Sequence, residues 1–441
     1  IPYGADPPSL RIKGLARPAG HCAFLDYFGN PGIGGSGDPE DKMRNKVSQQ
    51  QAMRASRLNR AVKVDAWLLI PVLLLVASGL VMVGSSSIAV AESHGVATYY
   101  YLLRHLIYIL LGVMLAWSFR SIPIDFLERI SRPLMLLSAL MLLLVFIPGI
   151  GRSVNGSARW ITIGFANFQV VEAVKIMVII YMAGYLVRKA DMVKVRFFDT
   201  LKPLVFAAML TGILLMQPDM GSAAVITAIV GGMVWLAGAA WRHIFVLGMA
   251  ALPVFGFAAM EPYRLRRIVS FMNPWADPYD SGFQLTQALI AVGRGEVFGV
   301  GLGASIQKLF YLPEAHTDFI FAVLAEEFGL LGVVFILSLF MLLVARIMII
   351  GLMAHRMERP FAGNIAYGVG LWIGLQALVS MGVNLGVLPT KGLTLPLISS
   401  GGSSVLMTFV ALGIVFRIRY ELDRDAPLNI ARTPNLAGVR R

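Results

Sequence analysis

Asp318 is the residue of this sequence best placed to do chemistry. It stands in YLPEAHTDFIFAVLAEEFG (residues 311–329), where a polar stretch meets a long apolar one. A carboxylate at such a boundary can accept a proton from a substrate hydroxyl, which is general base catalysis. It can also cap a helix, because Thr317 and Asp318 directly precede the apolar run and the first N–H groups of a helix favour such side chains. The pattern alone leaves both interpretations open.

Basic residues gather in the segment 261–318, which ends at Asp318. They are Arg264, Arg266, Arg267, Arg294 and Lys308. Another cation, Lys391, lies in LPTKGLTLPLISSGGSS (388–404), whose Pro, Gly and Ser content predicts a turn or re-entrant loop. Lys391 is either a membrane-interface anchor or a phosphate ligand. The candidate substrate-binding residues are the four arginines, Lys391, and His316, which lies two positions before Asp318.

Charged residues also occur inside apolar stretches, where an unpaired charge costs several kcal/mol. Glu172 and Lys175 have the i,i+3 spacing that lets them pair on one helical face. Glu326 and Glu327 follow Asp318 within the same apolar run. These four residues are predicted to form structural pairs or to line a cavity, and Asp219 is predicted to cap a helix.

Several kinds of site are excluded. Cys22 is the only cysteine, so an intramolecular disulfide, a thiolate zinc cage and an iron–sulfur cluster are ruled out. No HExxH motif, nucleophile elbow or P-loop occurs. No metal site and no cofactor are predicted, which leaves only a divalent cation open.

The elements that position these residues are membrane spans. Ten apolar stretches have the length of about 17 to 25 residues that a bilayer requires. They lie near 66–86, 101–119, 133–149, 168–187, 201–217, 221–240, 242–260, 319–352, 361–385 and 402–417. With 57% hydrophobic and 14% charged residues, the predicted fold class is all-α: a polytopic membrane protein of about ten transmembrane helices. The eighth stretch is too long for one upright crossing, which predicts a tilted helix or two re-entrant pieces.

The net charge of +13 follows the positive-inside rule, because most Lys and Arg residues fall in loops that are cytoplasmic if the N-terminus is. This pattern is not that of a nucleic-acid-binding surface, so no nucleic-acid partner is predicted. The exception is 261–318, a large extracytoplasmic loop between helices 7 and 8. Cations on this disfavoured side predict a site for an anionic substrate.

Three parts of the chain are distinguished. Residues 1–60 are rich in Pro, Gly and charge and are predicted to be a disordered cytoplasmic tail, of which 1–42 is interpreted as an artefact of the start site or of cloning. Residues 61–420 are predicted to form the ten-helix membrane domain. Residues 421–441 are predicted to be a cytoplasmic C-terminal tail.

Several segments resemble the SEDS family of FtsW, RodA and SpoVE. The most specific are RIVSFMNPWADPYDSGFQLTQALIAVGRG (267–295), GLGASIQKLFYLPEAHTDFIFAVLAEEFG (301–329) and LPTKGLTLPLISSGGSS (388–404). NGSARWITIG (155–164), Glu172 with Lys175, and QPDMGS (217–222) match in the family's order. The NPW and PTKGLTLPLIS versions resemble the division branch of the family. Val170 and Val171 depart from its pattern, and Ser400 replaces a common Tyr, which puts any role of that Tyr in doubt.

The resemblance implies a ten-helix glycosyltransferase that polymerises lipid II into septal glycan strands. It implies Asp318 as the essential carboxylate and Lys391 as an important external cation. The implied partners are lipid II, a class B penicillin-binding protein that acts as transpeptidase, and other division membrane proteins. The implied location is the bacterial cytoplasmic membrane at the division septum, with the active site on the extracytoplasmic face.

The expected reaction is a single inverting displacement in which Asp318 takes a proton from the acceptor hydroxyl. Two other functions stay open. A lipid II flippase would use the buried Glu172, Lys175, Glu326 and Glu327 to line a cavity that opens to both faces. A non-catalytic scaffold that recruits the transpeptidase would tolerate a change of charge at Asp318.

Overall fold

The computed structural model describes residues 65–154, 157–163, 166–280, 282–309, 311–390 and 392–430. Lys391, the predicted N-terminal tail and residues 431–441 lie outside the described residues. The first part of the predicted C-terminal tail, 421–430, continues the last helix.

Helices make up most of the described chain. In chain order they are α1 (Ala66–Ser93), α2 (Tyr100–Ser121), α3 (Ile124–Leu144), α4 (Val170–Arg188), α5 (Ala190–Val195), α6 (Phe197–Met216), α7 (Met220–Leu236), α8 (Trp241–Ala259), α9 (Pro262–Met272), α10 (Phe283–Gly295), α11 (Ile320–Arg356), α12 (Pro360–Asn384) and α13 (Gly402–Ile430). A helix lies at each of the ten predicted spans, and α5, α9 and α10 are the additional short ones.

Six of these helices are long and apolar enough to cross a membrane, namely α1, α2, α4, α6, α11 and α12. α7 is a shorter apolar helix. The predicted polytopic helical membrane fold is therefore confirmed, whereas the exact number of ten spans stays a prediction.

A small antiparallel sheet, which the sequence analysis did not predict, precedes α4. Its strands are β1 (Gly151–Val154), β2 (Ser157–Ile163) and β3 (Ala166–Gln169), in the order β1-β2-β3. In the register, Trp160 pairs with Gln169. The sheet thus leads the chain directly into α4, whose first turn carries Glu172.

The long eighth stretch forms one helix that is broken at Gly329, where φ is 64° and ψ is −160°. The segment 296–301 fills this break with backbone hydrogen bonds. The N–H groups of Val300 and Gly301 donate to carbonyls on the first side of the break, and the N–H groups of Leu330 and Leu331 donate back to the segment. A break at membrane depth is tolerated because its freed backbone groups are paired again within the protein. The nine residues before Gly329 therefore form a separate short helix that begins next to Asp318.

The residues between α12 and α13 form the re-entrant loop that their composition predicted. α12 ends at Asn384, and Gly386 takes the left-handed conformation, with φ of 68°, that turns the chain. The loop then passes into the bundle, where Leu393, Leu395 and Ile398 are buried. It comes so close to α1 that a Cβ atom on Gly79 would lie 2.7 Å from the carbonyl oxygen of Leu397. The described parts of this loop, 388–390 and 392–401, are called the re-entrant loop below.

Candidate active site

Asp318 lies in the turn that leads into α11, and its side chain does not cap that helix. Phe319 is the N-cap residue, and no side-chain cap bond is formed. Thr317 donates instead from Oγ1 to the carbonyl oxygen of Glu314 at 3.2 Å and to its carboxylate at 2.7 Å. The capping interpretation of Thr317 and Asp318 is therefore wrong. Among the described residues no hydrogen-bond donor contacts the Asp318 carboxylate, which leaves it available to a ligand.

The re-entrant loop approaches this carboxylate directly. A Cβ atom on Gly392 would lie 2.9 Å from Oδ2 of Asp318, so a residue with a side chain would crowd it. Arg267 of α9 donates from Nη1 to the carbonyl oxygen of Thr390 at 3.3 Å. Asp318, Arg267 and the loop that contains Lys391 were singled out separately in the sequence. The fold brings Asp318, Arg267 and the described part of that loop together.

The surroundings of Asp318 change its acidity. Protein atoms surround the carboxylate closely, although part of the side chain reaches solvent. This burial, together with the smaller effect of the negative charge of Glu314, raises the pKa of Asp318 to about 7, against the opposing charges of Arg159 and Arg267. A carboxyl group with such a pKa can take up and release a proton near neutral pH.

Arg159 of β2 is a residue of this site that the sequence analysis did not select. Its Nη2 donates to the carbonyl oxygen of Pro218 at 2.6 Å and its Nε to that of Gln217 at 3.3 Å. Its Nη1 lies 3.8 Å from Oδ1 of Asp219. The signal available in the sequence was an arginine within the family-like segment NGSARWITIG. The sheet therefore has a role at the site, because it holds a cation whose charge acts on Asp318.

Asp219 itself caps α7, as predicted. Its Oδ1 accepts from the backbone N–H of Ser222 at 3.1 Å, and its Oδ2 accepts from the hydroxyl of the same residue at 2.8 Å. It is buried, and the charge of Arg159 compensates its own. Asp219 is thus a structural residue that helps to fix Arg159.

The other candidate cations are divided between two places. Arg264 donates from Nη2 to the carbonyl oxygen of Leu215, in the last turn of α6, at 3.1 Å. Arg266 is exposed on the same helix, α9. Arg294, by contrast, lies with Nη1 3.4 Å from Oε1 of Glu326. Glu326 is six residues into α11, about 9 Å along the helix from its start, so the structure places Arg294 in an ion pair away from Asp318.

His316 packs beside Asp318 and forms no hydrogen bond with its carboxylate. Its ring centroid lies 5.1 Å from that of Tyr101, and its carbonyl oxygen accepts from the N–H of Ser400 at 3.1 Å. Burial lowers the pKa of His316, so the ring is neutral at physiological pH. Its described contacts therefore join the turn before α11 to α2 and to the re-entrant loop.

Glu326 and Glu327 are both fully buried, and each is bonded to the segment that precedes α11, although Oε2 of Glu327 has no hydrogen-bond partner among the described residues. Glu326 accepts from the hydroxyl of Ser305 and from the N–H of Ile306 at 3.1 Å. Glu327 lies 2.7 Å from Nζ of Lys308 and accepts from the hydroxyl of Ser85 at 2.7 Å. These acids therefore fasten the long loop to α11. A pocket of about 420 Å³ beside Lys308 is lined by neither of them nor by Asp318.

Glu172 and Lys175 form the i,i+3 pair, with 2.8 Å between Nζ and Oε1, and both are buried. Lys175 also donates to Oε1 of Gln376 at 2.7 Å. Nε2 of Gln376 in turn donates to the carbonyl oxygen of Thr394 at 3.0 Å. This network of buried polar groups fixes the re-entrant loop through its bond to Thr394. Among the described residues, no three His, Cys, Asp or Glu side chains gather as a metal site would require.

The chain is similar in sequence to proteins of one family. Residues 65–424 match the family described as cell cycle protein, which groups FtsW, RodA and SpoVE. The chain is 46% identical over 428 residues to a protein of Xanthomonas oryzae pv. oryzae named probable peptidoglycan glycosyltransferase FtsW, a match that covers 96% of this chain and 86% of that protein. It is 48% identical over 360 residues to a protein of the same name from Coxiella burnetii, covering 81% of this chain and 97% of that one.

Two solved structures have the same fold. One was solved in work on the structural coordination of polymerisation and crosslinking by a peptidoglycan synthase complex. Its chain superimposes with a TM-score of 0.67 at 31% identity, covering 82% of this chain and 98% of its own. The other is RodA, the rod shape determining protein of Thermus thermophilus, with a TM-score of 0.60, 29% identity, and coverage of 81% and 96%.

Proposed function

We propose, on the premise that this chain belongs to the FtsW/RodA/SpoVE family of cell cycle proteins, that Asp318 is the general base of its reaction. The chain is a multi-pass membrane protein and a peptidoglycan glycosyltransferase. The observation that carries the proposal is the Asp318 carboxylate itself. It has no hydrogen-bond donor among the described residues, a pKa of about 7, and a position between arginines and the re-entrant loop.

The proposed substrate is lipid II, a disaccharide joined through pyrophosphate to a polyprenyl lipid. The 4-hydroxyl oxygen of the acceptor sugar attacks the anomeric carbon at the lipid-linked end of the growing strand. The new C–O bond forms as the bond from that carbon to the pyrophosphate breaks, and Asp318 takes the hydroxyl proton. One displacement inverts the α linkage to β, so a single base suffices. General base catalysis of this kind contributes about 10² to 10⁴-fold.

The departing pyrophosphate carries the charge that develops in this step. Arg267 and Arg159 are the described cations whose charges act on Asp318, and Arg264 and Arg266 lie on the same helix as Arg267. We propose that these arginines, with Lys391, stabilise the leaving group and hold it in line. Arg294 is omitted from this set because it pairs with Glu326.

The buried charges favour an enzyme over a flippase. A flippase needs polar groups along a cavity that opens to each face in turn. Glu172 and Lys175 instead bond to each other within the packed bundle, and Glu326 and Glu327 bond to the loop that precedes α11. Each of these four residues is at most 3% exposed. Their partners thus lie within the folded protein. This supports an enzyme in which Asp318 is the reactive group.

The setting of the reaction completes the proposal. Residues 61–420 are the membrane domain, with cytoplasmic tails on either side, and the Asp318 end of the bundle faces the extracytoplasmic space at the division septum. A class B penicillin-binding protein supplies the transpeptidase, and other division proteins join the complex. The likeness to the peptidoglycan synthase complex supports such a partner.

A reconstituted system separates this function from transport. The chain, with its penicillin-binding partner, is placed in liposomes that contain fluorescent lipid II, and polymer formation and transfer of the label between leaflets are measured together. Polymer that requires Asp318, without faster transfer, is the expected result. Transfer between leaflets that requires the protein, without polymer, would assign it to the flippase class. Polymer formed equally well by Asp318→Asn would remove Asp318 from the role of base.

A further inference from the structure

One buried side chain, Asn384 at the end of α12, holds the backbone of Asp318. Its Nδ2 donates to the carbonyl oxygen of Asp318 at 3.0 Å and to that of Ser380 at 2.8 Å. Its Oδ1 accepts from the N–H of Ala322 at 3.0 Å. Asn384 is 0% exposed, so water does not replace these bonds. The Asn384 amide thus makes three hydrogen bonds, all to backbone groups, and two of these groups lie at the start of α11.

These bonds reinforce the start of α11 and give the carbonyl of Asp318 its donor. The first N–H groups of a helix have no intrahelical partner, and α11 has no side-chain cap from its own sequence. Asn384 supplies such a cap from a neighbouring helix to Ala322, which shares its N–H with the carbonyl of Phe319 at 3.0 Å. The carbonyl of Asp318 lies just outside the helix and needs a donor of its own. Asn384 therefore fixes the chain on both sides of Phe319.

Asn384 also stands at the junction of the two elements that meet at the carboxylate. It is the last residue of α12, and the turn at Gly386 leads from it into the re-entrant loop. The same loop brings Gly392 against Oδ2 of Asp318. The Asn384 side chain thus connects the turn that carries Asp318 to the start of the re-entrant loop, which packs against the Asp318 carboxylate.

We propose that Asn384 is a positioning residue for the reaction, which fixes Asp318 relative to the re-entrant loop so that its carboxylate meets the acceptor hydroxyl in a productive orientation. This inference rests on the proposed role of Asp318 as the general base. Asn384 acts through Asp318 and does not itself contact the substrate. Displacement of a catalytic group by about 1 Å is enough to lower a rate by about 10²-fold.

The proposal has a kinetic signature that a purely structural role lacks. Without Asn384 the turn relaxes toward solvent, and the burial that raises the pKa of Asp318 is reduced. The charges that face the carboxylate, Glu314, Arg159 and Arg267, remain in place. The acid limb of the rate profile, where Asp318 becomes protonated, should therefore move to lower pH, while binding of lipid II is little changed.

The test compares Asn384→Ala and Asn384→Leu in the complex with the penicillin-binding partner, using lipid II polymerisation over a range of pH. The Leu side chain has a volume similar to that of Asn but cannot form these hydrogen bonds. A loss of activity in Asn384→Leu is therefore not caused by a cavity. Asn364→Ala is the matched control. Asn364 is buried on the same helix, about 30 Å away at its other end, and bonds to His355 at 3.1 Å. Both variants at 384 should lower kcat by about 10²-fold and change KM by less than about twofold. The acid limbs of their rate profiles should lie at lower pH than that of the wild type. The control variant should show neither change.

The outcomes separate this inference from the function on which it rests. If Asp318→Asn abolishes polymerisation while the variants at 384 keep the wild-type kcat and acid limb, the positioning role is overturned and the general base stands. If Asp318→Asn is active, the base itself is wrong. If neither variant at 384 yields a folded complex, or if both lose activity only in proportion to lost folded protein, Asn384 serves stability alone and the proposal fails.

Discussion

Replacing Asp318 by Asn removes a carboxyl group whose ionised form the fold disfavours. Burial raises its pKa from 3.8 to about 7. The folded protein therefore keeps this proton at pH values at which the unfolded chain has lost it. The free energy of unfolding falls as the pH rises from about 4 to about 7 and is constant above that, as far as this group is concerned. Because Asn does not titrate, Asp318→Asn should match the wild type near pH 4 and be more stable than it above pH 7.

The size of this difference follows from the same values. The interval from 3.8 to about 7 is roughly three pH units, and at 1.36 kcal/mol for each the ceiling is about 4 kcal/mol. Asp318 is partly accessible to solvent, which screens its charge, so we expect about 1 to 2 kcal/mol at pH 8. For a chain of this length, a change of this size raises the midpoint of thermal unfolding by about 1 to 3 °C.

The assay is thermal unfolding of the detergent-solubilised protein, followed by tryptophan fluorescence at several pH values between 5 and 8. The gap between variant and wild type should widen with pH. Glu314→Gln is the companion change, because it removes the nearby negative charge that also raises the pKa of Asp318. It should stabilise the wild type at pH 8 and have no such effect in the Asp318→Asn chain. An Asp318→Asn midpoint at or below that of the wild type at pH 8 would refute the reasoning.

Three further predictions concern activity and packing. Polymerisation should fall about tenfold for each pH unit below about 7, in proportion to ionised Asp318; a flat profile between pH 5.5 and 7 would contradict this. Gly392→Ala places a methyl group 2.9 Å from Oδ2 and should lower kcat about tenfold or more, whereas Gly212→Ala, with no atom within 4 Å of its new Cβ, should keep the wild-type rate. Lys308→Met leaves Glu327 buried without its cation and should lower the free energy of unfolding by about 3 to 5 kcal/mol. Glu327→Gln in the same chain should largely restore it. If the single and double variants were equally unstable, the uncompensated charge of Glu327 would not be the cause of the loss.

The parts of the site that were predictable are those with a local signal. Asp318 stands where polarity changes abruptly along the chain, and the re-entrant loop follows from the Pro and Gly content of 388–404, which forbids a regular helix. The spacing of Glu172 and Lys175 is enough to pair them on one helix face. Such features depend on residues a few positions apart, so the sequence carries them directly.

The residues that were missed act across long separations. Asn384 is 66 positions from Asp318, and Arg159 reaches the site only because the small sheet folds against the turn before α7. No proline in the sequence marks the break at Gly329. The break is stabilised by the distant segment 296–301, whose backbone hydrogen bonds fill it. Arg294 was grouped with the other cations by sign and sequence position alone, which could not reveal that its partner is Glu326. Pairings of this kind are decided by tertiary packing.

The most direct test of Asp318 as the general base is a single-turnover measurement of glycan polymerisation from purified lipid II. The protein is used with its class B penicillin-binding partner, and wild type is compared with Asp318→Asn at pH 8, where the variant is expected to be folded and at least as stable. The proposal predicts polymer from the wild type and a rate lower by about 10² to 10⁴-fold in the variant. A variant that forms polymer at the wild-type rate would contradict it.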